Sequence, residues 1–155
     1  MRQMKCCRNE VASPMKCALR HNGLTFQDSY YKIVSGDIMK EDKLGDLSME
    51  LSVEVLNLCK KLKLQKETVI SNQIGRSASS ICANIAESKY AHGRADFIAK
   101  LQIALKEASE TGKWLDMLYK TEYIDITQYK KLDRLCSTIR VLLIKSINTA
   151  KNNQK

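Results

Sequence analysis

Apolar residues recur every three or four positions along four stretches of this chain, and short polar links separate them. In the first stretch Leu44, Leu47, Leu51, Val55, Leu58 and Leu62 hold the spacing over about five turns, which predicts a helix over 45–63. In the second, Ile70, Ile74, Ala78, Ile81 and Ile85 predict a helix over 68–90. Phe97, Leu101, Ala104, Leu105, Ala108, Leu115 and Leu118 predict a third over 94–119. Tyr129, Leu132, Leu135, Cys136, Ile139, Leu142, Leu143 and Ile147 predict a fourth that ends near Asn152. Links this short join antiparallel neighbours, so the expected fold is all-α: an up-down-up-down four-helix bundle over residues 39–152, with 153–155 a frayed tail. The single proline, Pro14, lies before all four helices, as uninterrupted helices require.

Helix ends carry their own signals. Asp42 or Asp46 suits the positive N-terminal end of the first helix, and Lys60, Lys61 and Lys63 suit its C-terminal end. The same lysines read either as a phosphate-contacting patch or as a solvated helix end. Gly93 permits a left-handed helix end or an N-cap with Asp96 three residues on, and Asp125 with Gln128 forms a capping pair. Gly112, inside the third helix, costs about 1 kcal/mol relative to alanine. It reads as a close backbone approach that gives Trp114 room.

The second helix has an unusual composition. Ser77, Ser80, Ala83 and Ala86 are small enough to let another backbone come near. Asn84 and Glu87 share a face, as a subunit-contact element or as a buried hydrogen-bonded pair that fixes helix register. Arg76 offers a planar cation suited to carboxylate or phosphate. It stands about 16 Å of helix rise from Glu87, so a pairing of those two would be between helices or between subunits. Val53, Leu56, Ile98, Ile103, Val141 and Ile144 fall off the core stripes and predict burial by another copy, hence a homo-oligomer.

Residues 1–38 show neither period and read as a poorly structured extension. Cys7, Cys17 and His21 match no paired zinc-ligand spacing. Met39 directly precedes the first helix. Gly36-Asp37 can be encoded by a purine-rich stretch where a bacterial ribosome-binding site belongs, so residues 1–38 are expected to be translated leader.

Composition adds direction to this scaffold. The chain has 155 residues, enough for one domain with a real core. With 44% hydrophobic and 28% charged residues it falls among ordinary globular chains. No apolar run approaches the roughly 18–20 residues of a membrane span. Six cysteines without paired spacing suit a reducing cytoplasm. The net charge of +9 and pI near 9.3 favour polyanionic partners, nucleic acid first and an acidic protein second.

Catalytic patterns are missing. His92 sits at a loop beside Gly93. Ser77, Ser79 and Ser80 lack a nucleophile frame with His and Asp companions. There is no Glu-x-x-His pair for a bundle di-metal site and no phosphate-cradling glycine loop. Cys59, Cys82 and Cys136 read as small core residues. A non-enzyme without cofactor or metal is expected.

Gln73-Ile74-x-Arg76-Ser77-x-x-Ser80-Ile81-x-Ala83-Asn84-Ile85-Ala86-Glu87 resembles the signature of the four-helix-bundle proteins named for the 23S ribosomal RNA intervening sequence. The run from Asp96 to Thr111 and the run from Trp114 to Asp125 resemble the same family, so the likeness spans about 39–150. Ser88 and Gly93 depart from the family's usual glycine and serine. The resemblance implies a bacterial, ring-shaped homo-oligomer, a pentamer, with a basic surface. It also implies kinship with the accessory variability protein of diversity-generating retroelements, which binds a reverse transcriptase and nucleic acid. On this reading Gln73, Arg76, Ser77, Ser80, Asn84, Ala86 and Glu87 form the motif and assembly surface. Arg76, Lys89, Arg94, Lys100 and Lys106 are the candidate RNA or DNA contacts, and a protein-interaction scaffold is the alternative role.

Overall fold

The computed structural model describes residues 42–152, which form four α-helices and, among the described residues, no strand. The helices are α1 (Lys43–Leu64), α2 (Val69–Ser88), α3 (Arg94–Lys120) and α4 (Ile126–Asn152). Each packs on the next in sequence, and α4 returns to α1, closing the expected antiparallel bundle. The α1–α4 seam is the loosest of the four. The extension at 1–38, the Cys7–Cys17–His21 reading and the tail at 153–155 lie outside the described residues.

One core runs the length of the bundle. Leu51, Val55 and Leu62 of α1, Ile74 and Ile81 of α2, Leu115 and Leu118 of α3, and Ile139 and Leu143 of α4 are fully buried. These are the stripe positions, because only a period near 3.6 keeps one side chain per turn on the inner face. Ile98 departs from expectation: it is half-buried and packs against the core, whereas Val53, Leu56, Ile103, Val141 and Ile144 are exposed. It stands one position past Phe97, close enough to the inner face for a long side chain to reach.

Small residues let the helices approach within the chain. A Cβ on Gly75 would lie 3.2 Å from Cys59 Sγ. Ser52 Oγ donates across the same seam to the Ala78 carbonyl at 2.9 Å, and Thr111 Oγ1 of α3 donates to buried Ser77 Oγ at 2.8 Å. Every buried side-chain nitrogen and oxygen among the described residues has a partner, as buried polar groups require. Gly112 corrects the expectation placed on it. Nothing lies within 4 Å of where its Cβ would stand, and Trp114 turns elsewhere, its Nε1 donating to Glu110 at 3.1 Å.

The caps form largely as read. Asp42 accepts from Gly45 N at 3.2 Å and Asp125 from Gln128 N at 2.8 Å. Glu67 adds an unexpected cap on α2, accepting from Ile70 N at 2.7 Å. Gly93 is extended, not left-handed, and serves as the N-cap position of α3. Asp96 accepts from His92 N at 3.1 Å.

The left-handed residues sit elsewhere. Lys66 (φ 63°) and Glu122 (φ 61°) follow the ends of α1 and α3. Glu67 N donates to the Leu62 carbonyl and Tyr123 N to that of Leu118, at 2.9 and 3.0 Å, closing both ends with the two-bond glycine motif built on other residues. Glycine takes that conformation without steric cost. Glu122→Gly is therefore expected to raise stability by about 0.5–1 kcal/mol, read as a higher midpoint in urea. A lower midpoint would show that the Glu122 side chain has a stabilising role.

Candidate nucleic-acid interface

The five basic residues singled out by sequence do not converge on one patch. Lys89, Arg94 and Lys100 lie where α2 ends and α3 begins, and Arg76 and Lys106 lie mid-helix. Three of the five have polar partners. Lys89 pairs with Asp42, Lys100 reaches Glu87 Oε2 at 2.5 Å, and Arg76 Nη2 donates to Gln73 Oε1 at 3.2 Å. The hydrogen bond and charge of Glu87 hold the Lys100 ammonium above its ordinary pKa, so it stays charged while engaged in a pair. Arg94 is half-buried and Lys106 exposed, and neither forms an ion pair with a described residue.

The assembly set divides as well. Ser77 is consumed by its bond to Thr111. Asn84 Nδ2 donates to the Ser80 carbonyl at 2.9 Å and to Ser80 Oγ at 3.3 Å, inside its own helix. Glu87 reaches across to α3 at an exposed position, and Ala86 is exposed. The buried Asn84–Glu87 pair offered as one reading does not form. Arg76 and Glu87 each have a nearer partner, which removes the need for the long pairing between them.

A denser basic region stands at the other end of the bundle. Antiparallel order brings the C-terminal end of α1 beside the N-terminal turns of α4. Lys60, Lys61 and Lys63 on α1 and Lys66 in the link are all exposed. So are Lys130, Lys131 and Arg134 on α4, which stand lower along the seam, level with the middle of α1. Along the loose seam a cleft of about 470 Å³ opens, with Leu47 and Leu135 among its apolar lining and Lys130, Lys131, Arg134 and Glu50 beside them. Lys131 pairs with Glu54 at 2.9 Å. Sequence reading noticed the α1 lysines and missed their α4 counterparts. The signal that finds them is the up-down order itself, which puts the end of the first helix and the start of the last together.

This arrangement can neutralise phosphates or a run of carboxylates. Four ammonium groups crowd the end of α1, where the helix dipole is negative and favours cations. Their flexible stems let them follow an irregular anionic backbone. No group of three His, Cys, Asp or Glu suited to a metal ion occurs among the described residues. Burial pushes the Cys136 thiol up to about 11, so it stays protonated near neutral pH, and its Sγ donates to the Ala108 carbonyl at 3.0 Å. No helix among the described residues is long and apolar enough to cross a membrane.

Residues 40–145 match the family model described as the 23S rRNA-intervening sequence protein. Among solved structures, the chain is similar to a protein of unknown function from the S23 ribosomal protein family of Bacteroides thetaiotaomicron. That likeness has 50% identity and a TM-score of 0.66, covering 67% of this chain and 97% of that one. No curated protein matches.

Proposed function

Since the chain belongs to the 23S rRNA-intervening sequence protein family, we propose that it is a non-enzymatic, cytoplasmic homo-oligomer that associates with RNA or DNA through its basic surface. The observation that carries this reading is the exposed group Lys60, Lys61, Lys63 and Lys66 at one end of the bundle, with Lys130, Lys131 and Arg134 adding cations further down the α1–α4 seam, where Lys131 meets Glu54. The ring of five copies implied by the family resemblance would repeat that end around an axis. It would multiply phosphate contacts without any base-reading element. Arg94 and Lys106 would add lesser contacts. Arg76, Lys89 and Lys100, and Lys131 with its Glu54 partner, already engaged within the chain, would contribute least.

One observation favours a second reading. The α1–α4 cleft sets Leu47 and Leu135 beside cations, which suits an acidic amphipathic segment of a protein such as a reverse transcriptase. Capture of partners from the native host, with and without nuclease, separates the two. Recovery of nucleic acid, with protein partners lost after nuclease, is expected. Protein partners that survive nuclease, with no nucleic acid recovered, would favour the scaffold.

A further inference from the structure

The four sides of the bundle differ in charge. The α2–α3 side carries the Glu87–Lys100 pair, and the α4–α1 side carries the Glu54–Lys131 pair with Glu50 and Arg134 nearby. The α1–α2 side is nearly free of charge, and the α3–α4 side carries Asp116, Asp133 and Arg140 around an uncharged row on α3. On α1 the row Met49, Val53, Leu56 is 56%, 48% and 48% exposed, with Asp46 and Lys60 only at its ends. The adjoining row on α2 is Gly75, Ser79, Cys82 and Ala86, placed toward α1 by the contact of Gly75 with Cys59.

The opposite side is marked by Gly112. Cys136 Sγ bonds to the Ala108 carbonyl and Tyr129 Oη to Asp116 Oδ1, at 3.0 and 2.8 Å. These contacts set the α3 row Leu105, Ser109, Gly112 toward α4, and that row has no charge before Asp116. A glycine in mid-helix is unfavourable, yet Gly112 has no left-handed φ and no neighbour within 4 Å of its Cβ position. Nothing inside the chain requires it.

The two sides match in height. The Glu54–Lys131 pair aligns α1 with α4, and the Cys136–Ala108 bond aligns α4 with α3. Counting along the helices from these contacts puts Val53, Leu132 and Gly112 at one level. Two turns toward the other end, Asp46 is level with Arg140. Neither has an oppositely charged partner among the described residues, although Arg140 donates to Ser137 Oγ at 2.9 Å. Copies rotated about an axis parallel to the helices keep their heights, and a head-to-tail contact of unlike faces closes into a ring.

We infer that copies of this chain meet through unlike faces, the α1 ridge centred on Val53 seating over Gly112 of the next copy, with Asp46 facing that copy's Arg140. This rests on the homo-oligomer reading above. Two variants test it, Val53→Glu on the ridge and Gly112→Leu on the seat. Both sites are open in the single chain, so circular dichroism should report a folded bundle in each. In sedimentation equilibrium the wild type should run as an oligomer of the 17.6 kDa chain and each variant as one chain. An equimolar mixture should form a 1:1 dimer and stop, because only one good ridge and one good seat remain. Variants that assemble like the wild type would overturn the surface and leave the homo-oligomer reading standing. Monomeric variants that fail to pair when mixed would overturn the unlike-face arrangement. A monomeric wild type would overturn the homo-oligomer reading itself.

Discussion

Leu115→Ala is expected to lower the free energy of unfolding by about 2–5 kcal/mol, the largest loss anticipated from a single truncation. Leu115 is fully buried on α3, the helix that packs against both α2 and α4. Its removal leaves a cavity inside the core that the surrounding helices close only in part. The cost therefore contains both the lost transfer of the side chain from water and the residual void. Urea denaturation should show a lower midpoint with an unchanged slope. Val53→Ala, at an exposed position of similar chemistry, should stay within about 0.5 kcal/mol when measured on the single chain. A Leu115→Ala loss as small as that would mean that the core is not the close-packed layer described above.

The fold was legible because the bundle is held by periodicity. Leu51, Val55, Leu58 and Leu62 on α1, and Ile139, Leu143 and Ile147 on α4, are buried where a period of 3.6 places them. The caps on Asp42 and Asp125 were legible for a similar reason, since they depend on residues three apart. What depends on a neighbouring helix was harder to read. Nothing local says that Gly75, not Gly112, is where two helices come close; that is decided by Cys59 on another helix. Nor does local pattern reveal that Lys66 and Glu122 are left-handed, because the glycine that normally marks such a turn is absent.

The candidate site was legible to a lesser degree. A basic balance is visible in composition, but which cations are unpaired is a three-dimensional property. Lys89 and Lys100 look available in the sequence and are engaged by Asp42 and Glu87 in the fold. Lys130, Lys131 and Arg134 draw no notice in the sequence and gain interest only when α4 starts beside the end of α1.

Replacing Lys60, Lys61 and Lys63 together by glutamine is the second large expected effect. If each lysine displaces about one counterion from bound nucleic acid, the slope of log K against log salt should become shallower by about 2–3. The loss should be nearly uniform across base sequences, because phosphate contacts carry no sequence information. Lys100→Gln is the control: its ammonium is held by Glu87, so its removal should leave the slope almost unchanged. An equal effect of the triple change and of Lys100→Gln would point to net charge alone and against a localised basic end. Far-ultraviolet circular dichroism guards against loss of fold, since all three lysines are exposed.

Binding of the wild-type protein to RNA and DNA oligonucleotides, followed by fluorescence anisotropy as salt is raised, tests the central claim most directly. The account predicts measurable affinity at low salt that falls linearly on logarithmic axes and depends little on base sequence. No binding at low salt, or binding indifferent to salt, would contradict it.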